Sequence, residues 1–198
     1  MVMSEKPKVP PAISSKPRLE KTDYTAEELE KLAGGEVSLK ELSGVTDAEV
    51  LKIAETGYSM FQSGRFKEAR VIFTGLIALA PDVSYFRTLL GCVHLAESNP
   101  EQALTLFDEA LLLNPNDTVA LVHRGEMYIL SGKIDEGAQD IAAVVRLDPE
   151  GKSPATYRAR AVAAAALEML KESQQLQKED TSKLAPGAAK SSGPAKKK

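Results

Sequence analysis

One cysteine and two histidines, Cys92, His94 and His123, are the residues of this 198-residue chain best suited to chemistry. A nucleophile with its base, or a shared metal ion, needs such side chains to converge on one point. Cys92 and His94 stand two residues apart. On a helix that spacing turns them about 200° away from each other. His94 and His123 fall on different helical segments, at positions that do not correspond. The sequence contains no Gly-rich phosphate loop, no HExxH and no CxxC. The acidic pairs Asp108-Glu109 and Asp135-Glu136 read as solvated helix faces. The sequence therefore predicts no enzyme, no catalytic residue, no cofactor and no metal; it assigns His94 and His123 structural roles and makes Cys92 a small core or groove residue.

Composition points the same way. Hydrophobic residues make up 43% of the chain, enough for a core, although aromatics are only 5% and Trp is absent. No apolar run approaches the roughly 18 residues that span a bilayer. The opening MVMSEKPKVPPAISSKPRLEK lacks an apolar h-region, so no secretory signal is expected. A single cysteine excludes an intramolecular disulfide framework and fits a reducing compartment. The net charge of −3 conceals a segregation: residues 1–22 hold five Lys/Arg and two acids, and 181–198 hold five Lys and no acid. Of 25 basic and 28 acidic residues, 15 and 26 are left for 23–180, a net of −11. An acidic body does not attract phosphates, which excludes a nucleic-acid surface.

The elements that position these residues repeat. Gly57, Gly91 and Gly125 are 34 apart, and so are Pro81, Pro115 and Pro149. Ala69, Ala103 and Gly137, then Phe73, Phe107 and Ile141, keep the same period. Four columns with one period of 34, small residues at fixed places and a closing proline resemble the tetratricopeptide repeat. The small residues let two helices approach closely. Each proline lacks an N–H and disfavours helix before it, so the second helix of each unit stops there. Gly64 and Gly132 supply tight turns; the middle unit has Ser98-Asn99-Pro100, where Asn99 is a candidate N-cap and Pro100 a first helical residue.

First helices are predicted near 48–63, 84–97 and 118–131, second helices near 66–80, 100–113 and 134–147. Thr25 and Glu28 have capping-box spacing at the head of a short acidic helix. Ser153 and Pro154 open a helix that is apolar as far as Met169 and Leu170 and then polar, as a solenoid cap needs to be. The predicted fold is all-α: a tetratricopeptide-repeat solenoid of three helical hairpins, with an N-terminal helical region and a long C-terminal capping helix. Its parts are a disordered tail at 1–22, an N-terminal helical region at 23–47, repeats at 48–82, 83–116 and 117–149, a capping helix at 150–180 and a disordered basic tail at 181–198.

Stacked hairpins wind into a superhelix whose concave wall is made by the first helices. Counting from the glycine column, the wall positions are Leu51, Ala54, Tyr58 and Phe61; Tyr85, Thr88, Cys92 and Leu95; Val119, Val122, Glu126 and Ile129. Only Glu126 is charged. Such a wall suits an extended peptide with apolar anchors, each large buried side chain contributing roughly 1.5–3 kcal/mol. Tetratricopeptide co-chaperones that grip a C-terminal carboxylate use Lys and Asn on their first helices; here those places hold Ala54, Tyr58, Leu89, Val119 and His123, so no such clamp is predicted.

The run Tyr58–Ala69 (YSMFQSGRFKEA), with Leu90–Cys92 and the Leu-x-Gly-x-x-x-Glu at Leu130–Glu136, resembles the class II chaperones of bacterial type III secretion systems, the LcrH/SycD group. The similarity covers about residues 47–148. It implies a cytoplasmic, non-enzymatic bacterial chaperone that holds an extended segment of a secreted hydrophobic translocator protein in the concave groove before export. It further implies possible homodimerisation through N-terminal helices, around 26–55, with Tyr58, Phe61 and Tyr85 as leading groove contacts. No nucleic acid and no stable membrane insertion are expected. The alternative is a generic tetratricopeptide-repeat adaptor that scaffolds another bacterial protein complex.

Overall fold

The structure, a computed structural model, describes residues 24–183; the tail expected at 1–22 and the part of the basic tail beyond Lys183 lie outside these residues. Among the described residues the chain is helical throughout, in the order α1 (Ala26–Ala33), α2 (Leu39–Ser43), α3 (Asp47–Gln62), α4 (Phe66–Leu79), α5 (Ser84–Ala96), α6 (Pro100–Leu113), α7 (Thr118–Leu130), α8 (Ile134–Leu147) and α9 (Pro154–Lys183). Helices α3 with α4, α5 with α6 and α7 with α8 form three hairpins, each packed on the next, and α9 closes the stack against α7 and α8. No helix among the described residues is long and apolar enough to cross a membrane.

Local chemistry sets the starts. Thr25 accepts from the Glu28 N–H at 3.3 Å while the Glu28 carboxylate accepts from the Thr25 N–H at 2.9 Å, the predicted capping box. Thr46 and Glu49 repeat it before α3. Ser38 and Glu41 build a third, which begins the five-residue α2; Gly44 ends that helix at φ 67°. Helix α2 was not anticipated, although Ser38-x-x-Glu41 and Gly44 carry its signals. Asn99 occupies the N-cap position of α6 with Pro100 first in the helix, but its side chain makes no cap hydrogen bond, contrary to expectation. Its φ of −114° and ψ of 70° lie outside the extended geometry from which a cap side chain reaches back.

The column residues make the hairpin contacts. Ala69, Phe73, Ala103 and Phe107 are fully buried and Ile141 nearly so. A Cβ on Gly91 would stand 2.6 Å from the Phe107 ring. In the third hairpin the two helices meet backbone to backbone, and a Cβ on Gly137 would stand 2.6 Å from the Gly125 carbonyl oxygen. The turn column is left-handed in all three hairpins: Gly64 at φ 74°, Gly132 at 83° and, in the middle one, Ser98 at 62°.

Candidate peptide-binding groove

The first-helix wall is built as a layered surface. Of the twelve predicted wall residues, Ala54, Phe61, Thr88, Cys92, Val122 and Ile129 are buried, while Leu51, Tyr58, Tyr85, Leu95, Val119 and Glu126 are half-buried. The second set keeps partly exposed surface; the first set lies beneath it as a floor. Phe61 illustrates the division, its ring lying 5.8 Å from that of Phe66 inside the first hairpin.

The floor is polar at one point. Thr88 donates to Asp117 Oδ2 at 2.7 Å, and the other oxygen of Asp117 accepts from the N–H groups of Val119 and Ala120, both at 3.1 Å. One carboxylate thus caps α7 and ties it to α5. Tyr85 and Cys92 stand close enough to feel its charge, and Tyr58 in turn lies near both of them. Burial raises the Tyr85 phenol, helped by Tyr58, Cys92 and Asp117, so it remains a neutral hydrogen-bonding group at any physiological pH. Burial likewise pushes the Cys92 thiol up to about 12, with Asp117 adding to the shift. A thiol held that high is not a nucleophile.

His123 is held by packing, whereas His94 lines a cleft at the hairpin turns. The His123 ring stacks on Phe107 with centroids 5.4 Å apart and planes 8° from parallel. Burial lowers its pKa to about 4, Arg158 adding to the shift and Glu126 opposing it, so the ring is neutral. The Nδ1 atoms of His94 and His123 are both buried without a hydrogen-bond partner. No group of His, Cys, Asp or Glu among the described residues has the arrangement of a metal site. Asp108 and Glu109 keep about half of their side-chain surface exposed and also accept from Arg124 at 2.8 Å and from Arg87 at 3.1 Å.

Sequence reasoning missed a cation beside this wall. Arg158 of α9 donates through Nη2 to Glu126 Oε2 at 2.6 Å and through Nε at 3.2 Å. Below that pair a cleft of about 270 Å³ opens between α7 and α9, lined by Ile129, Val162, Ala165, Ala166 and Met169 among others. A larger cleft of about 760 Å³ lies at the hairpin turns, between the start of α4 and the end of α5. None of the twelve wall residues lines it; of its three cations, Arg65 and Arg70 are paired with Glu68 and Glu97, and Lys67 is exposed.

No family model matches the sequence. Over 127 residues, 63% of this chain, it is 26% identical to DnaJ homolog subfamily C member 3 of Mus musculus, and it spans 25% of that relative's length. Its structure is similar to the tetratricopeptide domain of P58(IPK), with a TM-score of 0.58 and 25% identity over 68% of this chain and 37% of that one. It is also similar to the Yersinia enterocolitica type III secretion chaperone SycD in complex with a peptide of the translocator YopD, with a TM-score of 0.56 and 17% identity over 66% of this chain and 98% of that one. The chain thus has the all-helical tetratricopeptide fold that SycD also has.

Proposed function

We propose that this chain is a cytoplasmic chaperone of a bacterial type III secretion system, and that its first-helix wall holds an extended segment of a hydrophobic translocator before export. The observation that carries the reading is an almost uncharged wall, from Leu51 to Ile129, inside a body with a net charge of −11. Such a surface can take apolar anchors from a membrane-seeking client while the acidic exterior keeps the complex dispersed. The likeness to a chaperone solved with a translocator peptide supports it. In this reading the chain binds and does not catalyse, uses no cofactor, and pairs with a second copy through α1 to α3, where Leu29 and Ile53 are exposed.

The test is co-expression with a candidate translocator followed by pull-down. Tyr58→Ala with Tyr85→Ala removes two half-buried rings without opening the floor, and capture should fall at least tenfold. Undiminished capture by a correctly folded double variant would remove the groove assignment. Light scattering tests the pairing; a monomer at all concentrations would remove it.

A second reading is an adaptor that scaffolds another bacterial complex. It is favoured by the match to a DnaJ homolog and by the equal structural likeness to the P58(IPK) tetratricopeptide domain. Capture of assembly subunits in place of a translocator would select it.

A further inference from the structure

The three hairpins supply three wall helices, yet α9 occupies the place of a fourth. The linker after Pro149 is two residues longer than those after Pro81 and Pro115: α9 starts at Pro154, whereas α5 and α7 start at Ser84 and Thr118. Its register is therefore offset by 36 residues from α7 rather than 34. With that offset Ala155, Arg158, Val162 and Ala165 stand at the positions of Val119, Val122, Glu126 and Ile129. Two observations support this register. Thr156 and Ala159, fully buried, fall where Ala120 and His123 face the preceding hairpin. The Arg158 to Glu126 pair joins wall position to wall position.

We infer that the binding groove continues onto α9 and ends in an aliphatic subsite between α7 and α9, whose rim residue Arg158 selects a carboxylate beside the inserted side chain. This rests on the groove reading above. The cleft shares Glu126 and Ile129 with the wall, so an extended segment lying along the wall runs directly into it. At about 270 Å³ it falls below the usual size of small-molecule pockets, roughly 300–1,000 Å³, and suits one Leu, Ile or Met side chain. Its α9 side is built from Ala161, Val162, Ala165 and Ala166, which leaves a slot between the helices.

Charge decides the neighbour of that side chain. Arg158 is the one cation among the sixteen wall positions and its side chain is 49% exposed. Glu126 engages Nε and Nη2 through a single oxygen, which leaves the Nη1 edge of the guanidinium open to a second carboxylate. The other wall positions hold no cation, and the body as a whole carries a net charge of −11. A bound segment therefore has a preferred direction, with its acidic residue at the α9 end.

Panning a displayed library of twelve-residue peptides against the full chain tests this without knowing the client. Selected peptides should share an aliphatic residue next to Asp or Glu. Panning against Arg158→Glu should exchange that acid for Lys or Arg. Ala165→Phe, at an exposed position that plugs the slot, should erase the aliphatic preference and weaken the best wild-type peptide at least tenfold. Peptides whose binding depends on Tyr85 but ignores both Arg158 and Ala165 would overturn the subsite and leave the groove reading standing. No enrichment in any form, or enrichment indifferent to Tyr85→Ala, would remove both. A change in oligomeric state in Ala165→Phe, with peptide selection unaltered, would assign the cleft to a second copy of the chain and likewise overturn the inference.

Discussion

The second and third hairpins occupy the same columns and hold their helices together by opposite means. Where the second has Leu89, Leu90 and Leu106, the third has His123, Arg124 and Asp140, each 34 residues on. Leu89 and Leu90 are buried and Leu106 is packed against the core. In the third hairpin Arg124 instead forks onto Asp140, with Nε to Oδ2 and Nη2 to Oδ1 both at 2.8 Å, and extends Nη1 to Asp108 of α6 at 2.8 Å. Asp140 is only 7% exposed. The same geometry therefore accepts either an apolar seam or a satisfied ion cluster. The second is conditional, because each charge is tolerable only while its partner is present.

The largest expected effect breaks that condition. Arg124→Leu strands the buried Asp140 and should cost about 3–5 kcal/mol in urea unfolding. Adding Asp140→Leu recreates the Leu90 and Leu106 pair of the second hairpin and should restore stability to the wild-type level or above. A double variant as unstable as the single one would show that the ion cluster sets the packing of the third hairpin rather than substituting for an apolar seam.

His123 gives the comparison a pH axis. Its folded pKa of about 4 lies below the unfolded value of 6.5, so folding disfavours the proton. Its stabilising contribution is fully present above pH 6.5 and is lost progressively as the pH falls toward 4, by about 3 kcal/mol in all. His123→Leu, which copies Leu89, should flatten stability across that window, as read by thermal melts between pH 4 and 7.5. An unchanged slope would assign the acid sensitivity to other groups.

The two smaller effects probe the second hairpin. Gly91→Ala pushes a methyl against Phe107, which is fully buried and cannot withdraw, and should lower stability by about 1–3 kcal/mol. Ser98→Gly should raise it by about 0.5–1 kcal/mol, since Ser98 holds a left-handed φ of 62° where the other turns use glycine. A neutral Ser98→Gly would mean that the serine is not strained there.

The contrast also shows what periodicity can reveal. The 34-residue columns made the three hairpins legible because close helix approach tolerates few side chains: Gly91 under Phe107 and Gly137 against Gly125 admit almost nothing larger. Helix α2 escaped because it is one turn long, and its Ser38-x-x-Glu41 cap signal precedes no apolar run. Helix α9 was expected as a cap, but the wall register inferred for it escaped for a different reason. Two extra residues between Pro149 and Pro154 take α9 out of the 34-residue count, so Arg158 falls in no predicted wall column.

The sequence by itself determined the hairpins, their turns and the apolar character of the wall, because these follow from residue size, φ preference and spacing along one chain. Only the tertiary structure decided which wall side chains keep exposed surface and which form the floor. Phe61 turns inward to Phe66 and Thr88 is bound to Asp117, while Tyr58 and Tyr85 keep exposed surface. Only the tertiary structure, too, set Arg158 against Glu126, thirty-two residues away. Burial and ion pairing depend on what a neighbouring helix brings to a position, and no local pattern encodes that.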